Sequence, residues 1–181
     1  MRKLLTLGIA ALPAGMVSAT PLERLSLDQM VQKSMSIVRG RVLDTASVQR
    51  GNVIYTVYRL QVSERLKGSA GPSTVEVYVP GGTKSGYRQS FAGSPVLDTG
   101  AEYVVFIWTS PSGINQPIGL GQGVFDVKSI ASGETVLSRG TLDAQMVDST
   151  GRAVEDQGLK LSLGRLRQAV AQAEAMKAEV Q

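Results

Sequence analysis

Glu102-Tyr103-Val104-Val105-Phe106-Ile107-Trp108-Thr109 is the stretch on which the fold turns. Every residue from Tyr103 to Trp108 is apolar or aromatic. The run alternates at neither the strand period of two nor the helical period of 3.6. A short continuous apolar run of this kind reads as a central strand buried on both faces. Such a strand needs neighbours along both edges and cover above and below, and the flanking sequence is read for both.

Upstream, Ile37-Val38-Arg39-Gly40-Arg41-Val42-Leu43 alternates with period two and places Val38, Gly40 and Val42 on one face. A glycine inside a strand marks a bulge or a tight bend at a barrel corner, and Gly40 holds that position. Arg50-Gly51-Asn52 is a turn. Val53 to Leu66 is the longest strand-like run, with Thr56, Tyr58, Leu60, Val62 and Leu66 on one face and Tyr55, Val57, Arg59, Gln61 and Ser63 on the other. Lys67-Gly68-Ser69-Ala70-Gly71-Pro72 ends it with turn chemistry. Val75, Val77 and Val79 then alternate with Glu76 and Tyr78 as a third strand. Downstream of the central run, Asn115 to Lys128 holds one or two strands around Gly119, Gly121 and Gly123. Thr135 to Arg139 is a final, weaker strand paired across an Ala131-Ser132-Gly133 turn.

Two helices flank these strands. Thr20 to Ser34 reads as a short helix with Ser26 as N-cap and Gln29 three residues on, a capping box, and with Leu25 and Met30 placed for a hydrophobic staple. Asp28 in its first turn suits the helix dipole. Leu27, Met30 and Val31 would face a core. Leu159 to Val180 repeats Leu163, Leu166, Val170, Ala173 and Val180 at spacings of three and four, with Lys177 breaking the stripe. The expected fold is mostly β: a five- or six-stranded barrel of oligonucleotide/oligosaccharide-binding type. It occupies residues 20–158 with a short N-terminal helix, and a longer amphipathic helix follows over 159–181.

Residues 1–19 read as a segment to be set apart from the domain. Arg2 and Lys3 precede an apolar core from Leu4 to Leu12, Pro13 and Gly15 break it, and Val17-Ser18-Ala19 offers small or permitted residues at the −3 and −1 positions. This is the layout of a secretory signal peptide cleaved between Ala19 and Thr20. The stretch falls well short of the ~18 apolar residues that a membrane span needs. The expected location is exported, periplasmic or extracellular, with no transmembrane span after cleavage. With Arg2 and Lys3 gone, 17 basic residues oppose 15 acidic ones, a mature net charge of +2. That is no footprint for nucleic acid.

The chain of 181 residues contains no Cys and no His. These absences exclude a disulfide scaffold, a cysteine nucleophile, a Ser–His–Asp triad and any His- or Cys-ligated zinc. No metal or cofactor is expected. Gly81-Gly82-Thr83-Lys84-Ser85 lacks the glycine directly before lysine that a phosphate loop requires. Gly119-Leu120-Gly121-Gln122-Gly123 lacks dinucleotide-fingerprint spacing and precedes strand-like sequence, so its glycines read as close backbone approaches. No Gly-x-Ser-x-Gly elbow and no Ser-x-x-Lys occurs. Asp98, Glu102 and Asp126 are the carboxylates nearest the irregular segment, and read as turn and strand-edge charges. Tyr55, Arg59 and Tyr78 can share an outer sheet face, the interleaving by which single strands are held. Export and low charge favour an ordinary half-exposed surface there.

Pro80 to Gly100 shows neither period and contains five glycines and two prolines. Long irregular segments in compact domains are often functional. This one carries Tyr87, Arg88 and Phe91, residue types suited to anchoring a protein partner.

Several stretches, taken in order, resemble the netrin-like barrel of tissue inhibitors of metalloproteinases. They are Ser36-Ile37-Val38-Arg39-Gly40-Arg41-Val42, Tyr58 to Val62, Leu66-Lys67-Gly68, Val75 to Val79, and Leu97-Asp98-Thr99-Gly100-Ala101-Glu102-Tyr103-Val104-Val105-Phe106. The resemblance covers about residues 35 to 108 and implies fold. Inhibition in that family uses an N-terminal cysteine on the protease zinc and disulfides in the barrel, and this chain has neither. The expectation is a non-enzymatic exported binding module contacting an unidentified protein partner through Tyr87, Arg88 and Phe91. Two alternatives stand beside it: an assembly component oligomerising through the C-terminal helix, and a hydrolase using carboxylates.

Overall fold

A computed structural model describes residues 21–179. The expected signal peptide lies outside the described residues. The strands are β1 (Leu22–Glu23), β2 (Ser36–Arg50), β3 (Val53–Lys67), β4 (Thr74–Pro80), β5 (Gly82–Lys84), β6 (Tyr87–Gln89), β7 (Glu102–Thr109), β8 (Asn115–Pro117), β9 (Val124–Ser129), β10 (Thr135–Arg139), β11 (Met146–Val147), β12 (Ala153–Val154) and β13 (Leu159–Ser162). The helices are α1 (Leu27–Lys33) and α2 (Leu163–Glu179), with one 3-10 turn at Leu120–Gly123.

The main sheet is antiparallel, in the order β13-β10-β9-β7-β2-β3-β4, with β8 also on β7. On one edge β7 pairs with β2 from Glu102 to Ile107. On the other it is shared end to end, Tyr103–Val105 by β9 and Ile107–Thr109 by β8. The sheet therefore divides at β7. Strands β4-β3-β2-β7-β8 curl into a half-barrel, and the Asn115 side-chain amide donates to the Glu76 carbonyl at 3.2 Å across its open seam. Strands β9, β10 and β13 continue the sheet away from the curl.

Alternation along β7 builds two cores from one strand. Tyr103, Val105 and Ile107 point into the curl with Val38, Leu60 and Val77. Val104 and Phe106 point to the other face, where Phe125, Leu137, Leu163, Leu166 and Met30 cover them. The Phe106 and Phe125 rings pack at 5.5 Å. Burial of both faces is what the unbroken apolar run required. The curl is compatible with an oligonucleotide-binding-like barrel, and the chain is mostly β with two helices.

Gly40 lies where the β2–β3 register shifts, and a Cβ there would stand 2.7 Å from the Gln61 carbonyl oxygen. The bulge is thus a close approach of two backbones that only glycine permits. Helix α1 starts as its sequence dictates: Ser26 Oγ accepts from Gln29 N–H, and Gln29 Oε1 accepts from Ser26 N–H. Its other end is closed from a distance. Lys67 Nζ donates to the Val31 carbonyl at 2.5 Å and the Ser34 carbonyl at 2.7 Å. A cation on the free carbonyls of a helix C-terminus opposes the dipole favourably.

Three expectations need correction. Leu159 to Ser162 is not the first turn of the C-terminal helix but strand β13, paired with β10 from Leu159↔Arg139 to Ser162↔Val136. Helix α2 begins only at Leu163, because the open edge of β10 recruits this short apolar piece. Its first turns bury Leu163, Leu166, Ala169 and Val170, while Met176 is exposed; Val180 lies outside the described residues. Pro80 to Gly100 is not wholly irregular, since it contains the β5–β6 hairpin. The N-terminal helix covers only Leu27–Lys33 of the expected Thr20 to Ser34, since Leu22–Glu23 is strand β1; the main sheet has eight strands, five of them in the curl.

Two buried clasps fasten the chain ends. The Gln122 side chain accepts from Leu25 N–H at 2.8 Å and donates to the Glu23 carbonyl at 2.9 Å. The Arg139 and Asp156 side chains, 6% and 4% exposed, form a two-pronged ion pair at 2.6 and 3.0 Å. Asp156 also accepts from Leu142 N–H and Gly158 N–H.

Candidate binding site

Strand β4 ends at Pro80, which has no N–H to continue a ladder. Beyond it, Gly81 and Gly82 take φ of 112° and 138°, a region that L side chains rarely enter. A Cβ on Gly82 would also stand 2.8 Å from Thr56 Oγ1. The two glycines swing the chain off the barrel into β5. Ser85 and Gly86, both with positive φ, make the two-residue turn into β6.

The hairpin is pinned to the tip of β3 by a side chain acting as backbone. Gly81 N–H donates to the Ile54 carbonyl at 2.8 Å. The neighbouring rung is completed by Gln89, whose Oε1 accepts from Ile54 N–H at 2.7 Å and whose Nε2 donates to the Asn52 carbonyl at 2.8 Å. Thr56 Oγ1 donates to the Gly81 carbonyl at 2.9 Å, and Ser94 Oγ to the Pro80 carbonyl at 2.8 Å. Further on, Gly121 N–H donates to the Gly93 carbonyl. A Cβ on Gly121 would meet Leu142 at 2.6 Å and that carbonyl at 2.9 Å, so the glycine cluster serves close packing as expected. Leu97 drops into the curl, and the Tyr58 hydroxyl accepts from its N–H at 3.3 Å. Burial raises the Tyr58 phenol above its ordinary range, and the Leu97 hydrogen bond offsets this only in part.

A cleft of about 320 Å³ opens between this segment and the barrel, lined among others by Thr56, Tyr58, Arg88, Phe91 and Val96. Arg88 and Phe91 therefore meet at one site. Tyr87 does not line the cleft. It remains 75% exposed, Val96 is 83% exposed and Phe91 is 40% exposed. Sequence reasoning missed Val96 and the anchoring role of Gln89. The Ser85-Gly86 turn was the readable signal for the hairpin. Gln89 carried no local signal, because its partners lie 35 and 37 residues away.

On the outer face of β3 and β4, Tyr55 and Tyr78 stack edge to face at 6.2 Å, and the Arg50 guanidinium lies 5.2 Å from the Tyr78 ring. Arg59 is bound to Asp44 on the same ribbon.

The carboxylates do not gather. Glu102 shares the helix-side face with Val104, whereas Asp126 is paired with Tyr103 on the opposite face. Asp98 is an exposed turn residue whose N–H donates to the Tyr103 hydroxyl. Burial alone would raise Glu102, but the Arg39 guanidinium at 2.8 Å, the Ser63 hydroxyl and the Arg41 charge together hold it below its ordinary range. Asp148 is held down to about 2. The Thr150 hydroxyl leads; slight desolvation opposes it, and the N–H groups of Arg152 and Thr150 with the Arg152 side chain add to it. This is a hairpin-turn arrangement that accounts for the shift by itself. Among the described residues no group of three or more metal-ligating side chains occurs, and no helix is long and apolar enough to cross a membrane.

No family model matches the chain, and no curated protein matches it in sequence.

Proposed function

We propose that the protein is an exported, non-enzymatic binding module on an oligonucleotide-binding-like, netrin-like barrel, and that it docks another protein through the segment from Pro80 to Gly100. The observation that carries the reading is the pinned hairpin. Large apolar side chains exposed at Tyr87, Phe91 and Val96 are held by backbone and side-chain hydrogen bonds rather than on a slack loop. Ordering such a surface beforehand lowers the entropy lost on association. Tyr and Arg are the residue types that most often anchor interfaces, and Arg88 beside Phe91 at the cleft mouth supplies both a charge and an apolar contact.

The test expresses the full 181-residue sequence and uses the purified protein as bait against the extracytoplasmic fraction of its source. Tyr87→Ala/Arg88→Ala/Phe91→Ala is run in parallel. Loss of the captured partner with an unchanged circular dichroism spectrum supports the reading. Equal capture by the folded triple variant refutes the site. N-terminal sequencing of the secreted protein checks export, with Thr20 as the expected first residue.

A further inference from the structure

We propose that the protein pairs with a second copy of itself through the free edge of β2, Thr45 to Gln49, as an antiparallel continuation of the sheet about a twofold axis at Ser47. This goes beyond the docking reading and uses a different surface.

The argument begins with the length of β2. The strand runs over Ser36–Arg50, and β3 pairs with it to its end. On the other edge its pairing with β7 ends at Arg41, and the bonds of Val42 with Gly100 and Ala101 extend that cover by one residue. From Asp44 to Arg50 the strand pairs with β3 alone among the described residues. The β5–β6 hairpin packs on the face of this ribbon, where a Cβ on Gly82 would meet the side chains of Thr56, Ile54 and Ser47, and it forms no ladder with β2.

Which backbone groups stay free follows from Ile54. Its N–H donates to Gln89 Oε1 and its carbonyl accepts from Gly81 N–H, both on the β4 side. Opposite residues of an antiparallel pair exchange both bonds or neither, so its partner Gln49 also points away from β3. No register shift occurs between Asp44 and Arg50. Alternation therefore turns the N–H and carbonyl of Ser47 and Thr45 outward as well. Thr45, Ala46 and Gln49 are exposed. An edge of this kind templates another strand unless proline, lysine or a covering element blocks it. The β4 edge is blocked, since Pro80 ends it and the Asn115 amide bonds the Glu76 carbonyl. Thr45-Ala46-Ser47-Val48-Gln49 carries neither proline nor lysine.

The same residues identify the occupant. An antiparallel strand centred on Ser47 sets Thr45 opposite Gln49 of the second copy and bonds every outward residue of both chains. On the outer face this register sets Ala46 against Val48 and Asp44 against Arg50, each pair repeated by the symmetry. Moving the axis to Ala46 or Val48 sets Asp44 against Val48 or Arg50 against Ala46, and the charges go unmatched. Arg50 takes part in no ion pair among the described residues; its guanidinium lies against the Tyr78 ring. The Asp44 side chain is 51% exposed and bonds Arg59 through Oδ2, leaving Oδ1 for Arg50 of the second copy. The edge is complementary to itself in hydrogen bonds, in charge and in apolar contact.

The experiment is sedimentation velocity on protein purified from the full 181-residue sequence. The expected result is a monomer–dimer equilibrium that moves toward dimer as concentration rises. Ser47→Pro removes the outward N–H at the axis and spares the β2–β3 ladder, so it should stay monomeric with an unchanged circular dichroism spectrum. Arg50→Glu leaves the backbone alone, faces Asp44 with a like charge, and should weaken the dimer about tenfold. The register has its own readout, because the chain contains no Cys. Ala46→Cys and Val48→Cys, mixed under mild oxidation, should cross-link with each other much faster than either does alone, since their Cα atoms lie about 4.5 Å apart in the paired strands. A wild type that stays monomeric at every concentration overturns the proposal. So does a dimer that survives Ser47→Pro, which would assign self-association to another surface such as α2. Cross-linking no faster in the mixture than in the single variants overturns it too.

Discussion

Gln89→Ala is expected to release the β5–β6 hairpin while leaving the barrel intact. The side chain stands in for a strand at the rung after Pro80, accepting from Ile54 N–H and donating to the Asn52 carbonyl. Ile54 is buried, so its N–H loses its partner where water has little access. A net hydrogen bond contributes about 1 kcal/mol, and an orphaned buried donor costs somewhat more. The two bonds together give about 2 kcal/mol. In hydrogen exchange this is a rate increase of about 30-fold for the amides of residues 82–89, at about 1.4 kcal/mol per factor of ten. Gln89→Glu separates the two bonds. It still accepts from Ile54 N–H but has no donor for Asn52, so about half the free energy is lost, about a fivefold increase. Mass-spectrometric exchange on peptides spanning 80–96 reads both variants. Unchanged exchange in Gln89→Ala would show that something other than this amide holds the hairpin, and would remove the argument that the site is preorganised.

Asp156→Ala leaves the Arg139 guanidinium buried without its counter-charge and strips the acceptor from Leu142 and Gly158 N–H. Breaking such a pair costs about 3–5 kcal/mol, a melting point lower by about 6–20 °C for a domain of this size. The comparison also has a pH signature. Burial raises Asp156, but Arg139 and the N–H groups of Leu142 and Gly158 outweigh it, so the folded carboxyl titrates below its ordinary 3.8. Its contribution is present above 3.8 and fades as pH falls through the folded value. The gap between wild type and variant in thermal melts should therefore be constant from pH 5 to 7 and narrow below pH 4; a constant gap down to pH 2 would contradict the assignment. Lys67→Met removes the cation from the Val31 and Ser34 carbonyls. A loss of about 2 kcal/mol is expected, since hydrogen bonds from charged groups exceed neutral ones. Exchange should rise in α1, and an unprotected α1 in the wild type would refute the capping role.

Short-range physics was readable from the sequence alone. The capping box of α1, the bulge at Gly40, the turns at Arg50–Asn52 and Ala131–Gly133, and the two-faced burial of Tyr103–Ile107 each depend on residues close in the chain or on a single apolar run. Tyr87, Arg88 and Phe91 were legible as chemistry but not as geometry. Tyr87 stays outside the cleft that Arg88 and Phe91 line. What tertiary structure decided were the partnerships across long separations. The edge of β10 turns Leu159–Ser162 into strand rather than helix. Lys67 closes a helix more than thirty residues before it. Gln89 and Gln122 replace missing backbone rungs, and Arg139 finds Asp156 in the interior. The physical reason is common to all of these. A buried donor, acceptor or open strand edge must be satisfied by whatever the fold carries to it, and local sequence does not record which residue that will be.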